Sequence, residues 1–187
     1  YECKSKLNKI IINDKFEKKT NYTDTNISLV FEKTPFYAES GGQVGDCGLI
    51  YDELDQLVAE ISDTKVFNNV YIHYIGKLHM NLHPEKNYKL LIDVARREKI
   101  RNNHTATHLL HQSLREIVGN HVSQKGSLVN DKKLRFDYTS NEPLSEDKIR
   151  EIEFLVNSSI RSNIVSKIEH MPLKNAIQSG AIALFGE

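Results

Sequence analysis

The sequence predicts an α+β protein in which a small β-barrel is followed by an α+β core, an antiparallel sheet covered by helices. In the first half, short β-branched or alternating runs are separated by Asn, Asp and Gly turns. About five or six strands at this spacing are typical of a small barrel or sandwich. The pattern changes near Asp93, after which helical periodicity alternates with strand-like segments. We therefore predict a β-barrel domain over residues 1–94 and the α+β core over residues 95–187.

The strands of the barrel are predicted from runs of β-branched or alternating residues. These runs cover Lys6–Asn13, Asn26–Glu32, Leu57–Val66, Val70–Ile75 and Tyr88–Val94. The pair Asn68-Asn69 stands between two of them and predicts a hairpin turn.

The sequence of the second half predicts three helices, a hairpin and one further strand. In order they are a helix from about Arg96 or Asn103 to Val118, a hairpin of His121–Val129 and Lys133–Thr139, a helix after Ser145, a strand over Ile164–His170, and a short helix from Pro172 to Gly180. Gly119 predicts a C-cap for the first helix, and Ser145 predicts an N-cap for the second. Ile149, Ile152 and Val156 supply part of the apolar face of the second helix.

Composition excludes a membrane span and gives no overall attraction to nucleic acid. No stretch of the 187 residues approaches the roughly 20 apolar residues that a spanning helix needs. Lys plus Arg equals Asp plus Glu at 25 each. The distant cysteines Cys3 and Cys47 predict reduced thiols and a cytoplasmic chain. A start without Met suggests a segment of a longer chain.

Basic residues are unevenly distributed. Between Lys86 and Arg101, six cations face three carboxylates: Lys86, Lys89, Arg96, Arg97, Lys99 and Arg101 against Glu85, Asp93 and Glu98. Such a cluster could contact a phosphate backbone. Solvated helix and turn residues are an equally good account of it from charge alone.

Two histidines in the sequence His-Thr-Ala-Thr-His, His104 and His108, lie one helical turn apart. Side chains at i and i+4 share a helix face, so the two imidazoles could bind one tetrahedral metal ion, most often zinc. The motif lacks the Glu of zinc proteases. A helical wheel places His104, His108 and His111 opposite the apolar arc. Two histidines are fewer than the three ligands zinc requires, so a solvated polar face remains the alternative.

Two further segments combine flexible backbone with polar side chains. The sequence Ala-Glu-Ser-Gly-Gly-Gln-Val-Gly over residues 38–45 allows positive φ and close approach of a ligand to the backbone. In residues 121–129, alternation places Gln124 and Gly126 on one strand face and Ser127 on the other. A structural Gly-rich turn and a solvated edge-strand Gln are the alternatives.

Taken together and in this order, the motifs resemble the editing region of bacterial alanyl-tRNA synthetases. The resemblance rests on Thr-Pro-Phe-Tyr-Ala-Glu-Ser-Gly-Gly-Gln, Asn-His-Thr-Ala-Thr-His-Leu-Leu-His, Gln-Lys-Gly-Ser-Leu-Val with Leu-Arg-Phe-Asp, and Ala-Leu-Phe-Gly-Glu. It covers nearly the whole chain. Free-standing alanyl-tRNA editing proteins and the editing domain of threonyl-tRNA synthetase are more weakly similar.

The resemblance implies a function and a set of site residues. His104 and His108 would be two zinc ligands, and a Cys-x-x-x-His motif, which this sequence lacks, would supply the rest in the family. Gln124 and Glu39 are the candidate catalytic residues. The candidate substrate-binding residues are Ser40, Gly41, Gly42, Gln43, Gly126 and Ser127, and the candidate tRNA-binding residues are Arg96, Arg97, Lys99 and Arg101.

The implied reaction is hydrolysis of the ester of seryl- or glycyl-tRNA(Ala) at its acceptor end. A pocket that selects alanine cannot strongly reject serine or the smaller glycine, so a second site removes these errors. The parent synthetase would also use ATP and Mg, although nothing in this sequence resembles an ATP site. Two alternatives stay open, a tRNA-binding module without catalysis and a free-standing editing protein.

Overall fold

The computed structural model describes residues 1–21, 23–140, 142–165 and 169–180. The chain divides into two compact units, one of Tyr1–Asn103 with Leu128–Lys133 and the other of His104–Ser127 with Leu134–Glu187. We call them the barrel unit and the helical unit. The predicted α+β class, with a barrel before a mixed core, is confirmed.

The barrel unit is a closed ring of six antiparallel strands. The strands of the unit are β1 (Glu2–Ile12), β2 (Lys15–Glu17), β3 (Ile27–Phe31), β4 (Gly48–Tyr51), β5 (Leu57–Phe67), β6 (Val70–Leu78) and β7 (Asn87–Ile92). The ring runs β1-β3-β6-β5-β4-β7 and closes by pairing of β7 with β1, from Glu2 opposite Leu91 to Lys6 opposite Asn87. Closure removes the edges of the sheet, and the short β2 pairs outside the ring with the end of β1.

Inward-facing apolar side chains fill the barrel. Leu7, Ile10, Leu29, Ile50 and Leu90 are fully buried and belong to one contiguous cluster. His73 on β6 is buried too, and its ring lies nearly perpendicular to the rings of Phe31 and Phe36, with ring centres 5.3 and 5.5 Å away. Strand alternation thus places one face of each strand in a single core.

The sequence prediction missed two strands and shortened two others, β1 and β6. β2 is three residues long and fully exposed, and β4 is four residues long, so neither carries a readable alternation. β1 begins at Glu2 and not at the predicted Lys6, since its first residues pair with β7 although most of them are polar. β6 continues to Leu78, beyond the predicted end at Ile75. The predicted Asn68-Asn69 turn is confirmed, and both residues have positive φ, 47° and 62°.

The helical unit contains the later part of α1 (Val94–Ile117), β8 (Gln124–Val129) up to Ser127, β9 (Leu134–Tyr138), α2 (Glu146–Arg161) and α3 (Leu173–Gln178). The last two residues of β8 belong to the barrel unit. β8 and β9 form a two-stranded sheet. Its core includes Leu114, Val122 and Ile152, with Leu110, Phe136 and Val156 packed around them. α1 and α2 therefore pack on a hairpin, in agreement with the fold prediction.

Helix boundaries follow from local capping. α1 begins at Val94 because the Asp93 carboxylate accepts a hydrogen bond from the Arg96 amide at 2.9 Å, so the alternative start at Asn103 is wrong. The predicted Ser145 cap is confirmed, since its hydroxyl accepts from the Lys148 amide at 3.4 Å.

Two expectations fall partly or wholly outside the described residues. Of the strand predicted over Ile164–His170, residues 164, 165, 169 and 170 lie in no strand and residues 166–168 are outside the described part. The Ala-Leu-Phe-Gly-Glu motif lies wholly outside it.

Cys3 and Cys47 are free thiols. Within the described ranges, every helix is too short or too polar to cross a membrane.

Candidate functional site

The Gly-rich segment, residues 37–46, forms a loop closed at its neck. Tyr37 and Asp46 bind each other twice: the Asp46 carboxylate accepts from the Tyr37 amide at 2.8 Å, and the Asp46 amide donates to the Tyr37 carbonyl at 2.9 Å. The Tyr37 hydroxyl also donates to the Ser40 carbonyl at 3.2 Å. We refer to this segment as the glycine loop.

The tip of the glycine loop is a two-residue turn. Ser40 and Gln43 exchange backbone hydrogen bonds of 3.1 and 2.9 Å around Gly41 and Gly42. These glycines have φ of 57° and 82°, the positive φ that a Gly-rich sequence allows. The turn leaves the backbone of the tip without side chains, so a ligand could approach it closely.

The remainder of the loop is attached to two strands of the barrel unit. The Val44 amide donates to the Val129 carbonyl at 3.1 Å, and the Val129 amide donates to the Gly42 carbonyl at 2.8 Å. The Glu39 amide donates to the Thr64 carbonyl on β5 at 2.9 Å, and the exposed Glu39 carboxylate lies 3.3 Å from the Lys65 ammonium. The loop is therefore bonded to β5 and to the end of β8.

Two of the predicted tRNA-binding arginines bind the loop itself. Arg97 donates through Nε to Asp46 Oδ1 at 2.8 Å and through Nη2 to Asp46 Oδ2, and its guanidinium lies 5.6 Å from the centre of the Tyr37 ring. Arg96 donates to the Gly45 carbonyl at 2.9 Å and lies 3.5 Å from Asp131. Burial lowers the pKa of the Arg97 guanidinium, which nevertheless stays charged at neutral pH.

The other two predicted tRNA-binding residues are more exposed. Arg101 donates to both oxygens of Glu98 at 2.9 and 3.1 Å, and its side chain is 58% exposed. Bonds from Tyr1 and Arg101 lower the pKa of the Glu98 carboxyl. Lys99 is exposed on the same helix. A phosphate could reach these two cations without breaking a buried ion pair.

The predicted metal ligands stack on one face of α1. The rings of His104 and His108 lie 5.0 Å apart, centre to centre, at an angle of 19°. His104 is half-buried and His108 is exposed. Two imidazoles suit zinc chemically and could fill two of its positions. No third His, Cys, Asp or Glu of the described ranges joins them in a cluster that could hold a metal, so they provide part of a zinc shell.

His111 departs from the helical-wheel prediction. Its side chain is 6% exposed and packs on Phe136 with ring centres 5.1 Å apart, so it belongs to the interior of the helical unit. Its Nε2 has no hydrogen-bond partner within the part of the chain that the structure describes. This burial lowers the pKa of the His111 imidazole, against a hydrogen bond to the Val122 backbone. The lowered pKa favours the neutral form of this imidazole.

The β8 candidates lie on the hairpin of the helical unit. Gln124, Gly126 and Ser127 are all half-buried. A Cβ atom at Gly126 would come within 2.8 Å of a carboxylate oxygen of Asp137, so only glycine fits there without displacing that side chain. Sequence analysis missed Asp137, although it stands in the Leu-Arg-Phe-Asp motif.

The sequence-predicted residues fall into two groups. The barrel unit holds the glycine loop with the four basic residues, whereas the helical unit holds His104, His108 and the β8 candidates. Sequence analysis also missed Tyr37 and Asp46, which close the neck of the loop. A carboxylate directly after a Gly-rich run was the available signal for Asp46, but nothing in the sequence indicated that Arg97 would be its partner.

Comparison with known proteins identifies relatives of the chain. Residues 1–96 match the family described as tRNA synthetases class II (A). The alanine–tRNA ligases of Fusobacterium nucleatum and Bacteroides thetaiotaomicron are 48% and 45% identical over 88% and 87% of this chain. That of Coxiella burnetii is 42% identical over 95% of it. The chain spans about a fifth of the length of these relatives, 18% to 20%.

Proposed function

This chain belongs to the class II (A) tRNA synthetase family, and we propose that it contributes the editing region of an alanine–tRNA ligase. The reaction would be hydrolysis of the ester in seryl- or glycyl-tRNA(Ala). Water adds to the acyl carbon, the bond to the ribose oxygen breaks, and the free amino acid and tRNA leave. The stacked histidine pair, His104 and His108, is the observation that carries the proposal.

The editing site would spare the correctly charged alanyl-tRNA(Ala) because its polar groups form hydrogen bonds with the hydroxyl of serine, which alanine lacks. The glycine loop exposes polar side chains at Glu39 and Ser40, beside the backbone of Gly41 and Gly42, whereas the predicted Gln43 is buried, 6% exposed. Gln124, Gly126 and Ser127 would provide a second polar surface, with Gln124 orienting the aminoacyl group or the attacking water. A polar group that bonds the serine hydroxyl would lose that bond when alanine takes the place of serine, and an unsatisfied polar group is costly.

The histidine pair would hold zinc together with ligands from outside the described residues. Zinc bound there would polarise the ester carbonyl or lower the pKa of a water molecule. The protein's own contribution is to hold both imidazoles on a rigid helix, in parallel and within reach of solvent. ATP and Mg would serve the ligase reaction elsewhere in such an enzyme.

The tRNA acceptor end would bind to the more exposed cations of the basic cluster. Lys99 and Arg101 are better placed for this than Arg96 and Arg97, whose guanidinium groups are held by the glycine loop. Replacing either Lys99 or Arg101 with a neutral residue should weaken tRNA binding and reduce its salt dependence, because fewer counterions are then released from the phosphates.

The test is hydrolysis of seryl-tRNA(Ala), with alanyl-tRNA(Ala) as the control substrate, by this chain and by the complete gene product that contains it. In the complete product, His104→Ala should reduce hydrolysis of the seryl ester by at least about 10²-fold, because a metal ligand is removed. Zinc content, measured on the same samples, should fall with the activity.

Gln112→Ala is the matched control, since Gln112 is exposed on α1 and belongs to no candidate site. It should leave hydrolysis unchanged. Unchanged hydrolysis by His104→Ala would refute a metal-centred site. Binding of tRNA(Ala) without selective hydrolysis by any form would favour the binding-module alternative.

A further inference from the structure

The glycine loop makes a buried charged contact at its neck. The Asp46 side chain is 3% exposed and the Arg97 side chain 17%, so this pair is shielded from water. Asp46 accepts from the Tyr37 amide and from two nitrogens of Arg97. We propose that Arg97, acting through Asp46, is a positioning residue for the glycine loop in the editing reaction, rather than a phosphate ligand. This inference rests on the proposed function.

The loop needs such a restraint because of its own composition. Gly41 and Gly42 lose more conformational freedom on ordering than other residues do, and the tip of the loop is exposed. The bonds from Glu39 to Thr64 and from Val44 to Val129 hold two sides of the loop. The bond between Asp46 and Arg97 holds its neck, where both ends of the loop meet.

A phosphate-binding role for Arg97 is disfavoured by the energetics of the buried pair. To reach a phosphate, the guanidinium would have to leave both oxygens of Asp46 and the face of Tyr37. A buried carboxylate would then remain without a countercharge, which is strongly unfavourable. Arg96 acts in the same direction, because its Nη1 donates to the Gly45 carbonyl and its Nε lies near Asp131.

Two substitutions separate the positioning role from phosphate binding. Asp46→Asn keeps the shape of the side chain and removes its charge, and Arg97→Lys keeps the positive charge and removes the two-point contact. In the complete gene product, we expect both to lower kcat for seryl-tRNA(Ala) hydrolysis, by up to about 10²-fold, because a small displacement of site groups has that effect. KM should change by less than about threefold, since tRNA binding is retained.

A milder variant keeps the test valid if either substitution prevents folding. Tyr37→Phe removes the hydroxyl bond to the Ser40 carbonyl and leaves Asp46 and Arg97 intact. Its kcat should fall by about fivefold or less, the equivalent of one hydrogen bond. The controls are Arg150→Lys and Glu146→Gln, which alter an exposed arginine–carboxylate pair on α2. Both controls should keep kcat and KM unchanged.

Amide hydrogen exchange supplies a readout that does not depend on activity. The Glu39 and Val44 amides should exchange faster in Asp46→Asn than in the unsubstituted protein, while amides of β7 should not. An unchanged kcat in both Asp46→Asn and Arg97→Lys, or a loss confined to KM in Arg97→Lys, would overturn the inference. Absence of hydrolysis by the unsubstituted protein would instead refute the proposed function, and loop exchange alone would then decide whether Arg97 positions the loop.

Discussion

The two units of the chain differ in the size of their apolar cores. The barrel unit closes its backbone into a ring around a contiguous apolar cluster that includes Leu7, Leu29, Ile50 and Leu90. The helical unit, over the residues described, has a small core around Leu114, Val122 and Ile152. Both units also bury polar side chains, among them Thr64 and His73 in the barrel unit and Thr107 and His111 in the helical unit.

The two units also differ in whether a buried imidazole has hydrogen-bond partners for both of its nitrogens. In the barrel unit, His73 Nε2 bonds the Thr34 hydroxyl at 2.8 Å and Nδ1 bonds the Leu29 carbonyl at 3.1 Å. In the described part of the helical unit, His111 Nε2 is buried without a partner. A fully paired interior stabilises one conformation, whereas an unpaired buried nitrogen is costly. Under the proposed function, the barrel unit would provide stability and the helical unit would hold the metal ligands.

The largest expected effect of a substitution is in the barrel core. Leu29→Ala should destabilise the protein by about 3–5 kcal/mol, because a fully buried side chain in a closed barrel leaves a cavity that cannot collapse. Leu114→Ala should cost nearer about 2–3 kcal/mol, since the smaller core around it can relax. Denaturant unfolding would measure both. Equal losses would contradict the proposed difference in packing.

The next effect is a pH dependence of the barrel unit. Burial lowers the pKa of the His73 imidazole to about 4. The unfolded state, with a pKa of about 6.5, therefore binds more protons between these values, and stability falls as the pH drops from about 6.5 to about 4. The loss should reach at most about 3 kcal/mol.

Substitution of His73 tests that pH dependence. His73→Gln cannot titrate, so its free energy of unfolding should vary less over this range, although its stability at pH 7 will be lower. The measurement is denaturant unfolding at several pH values. Identical slopes for His73→Gln and the unsubstituted protein would show that another group titrates instead.

The smallest effect concerns the helical unit. Ser145→Ala should destabilise α2 by about 1 kcal/mol, because it removes the side-chain acceptor for the Lys148 amide. Ser145→Asp should retain stability, since a carboxylate also accepts there and favours the positive end of the helix. Hydrogen exchange of α2 amides would measure both. If Ser145→Ala accelerated exchange of the barrel amides as much as that of the α2 amides, the two units would unfold together. The difference between their cores would then have no separate effect on stability.

Much of the fold was predictable where the signal is local. Strands β3 and β5, the Asn68-Asn69 turn and the Ser145 cap follow from side-chain alternation and turn chemistry within a few residues. The short β2 and β4 were not predictable, because three or four residues cannot display a period. His111 was misplaced since its burial depends on Phe136 of β9.

The candidate site was predictable as a set of residues and not as a set of contacts. The spacing of His104 and His108 implies a shared helix face, which the stacked rings confirm. The basic cluster was interpreted as a phosphate surface, yet Arg96 and Arg97 bind the Gly45 carbonyl and Asp46. Charge in a sequence indicates what a side chain could bind, whereas its partner depends on which groups are buried beside it.

The sequence by itself determined the periodic elements, the left-handed turn at Gly41 and Gly42, and the histidine pair on α1. These features depend on backbone sterics and helical spacing, which act over a few residues. The tertiary structure alone decided the closure of β7 on β1, the attachment of Val129 to the glycine loop, and the pairing of Arg97 with Asp46. Each of these joins residues distant in sequence, and the burial of a hydrogen bond or charge is decided only when the surrounding chain has packed.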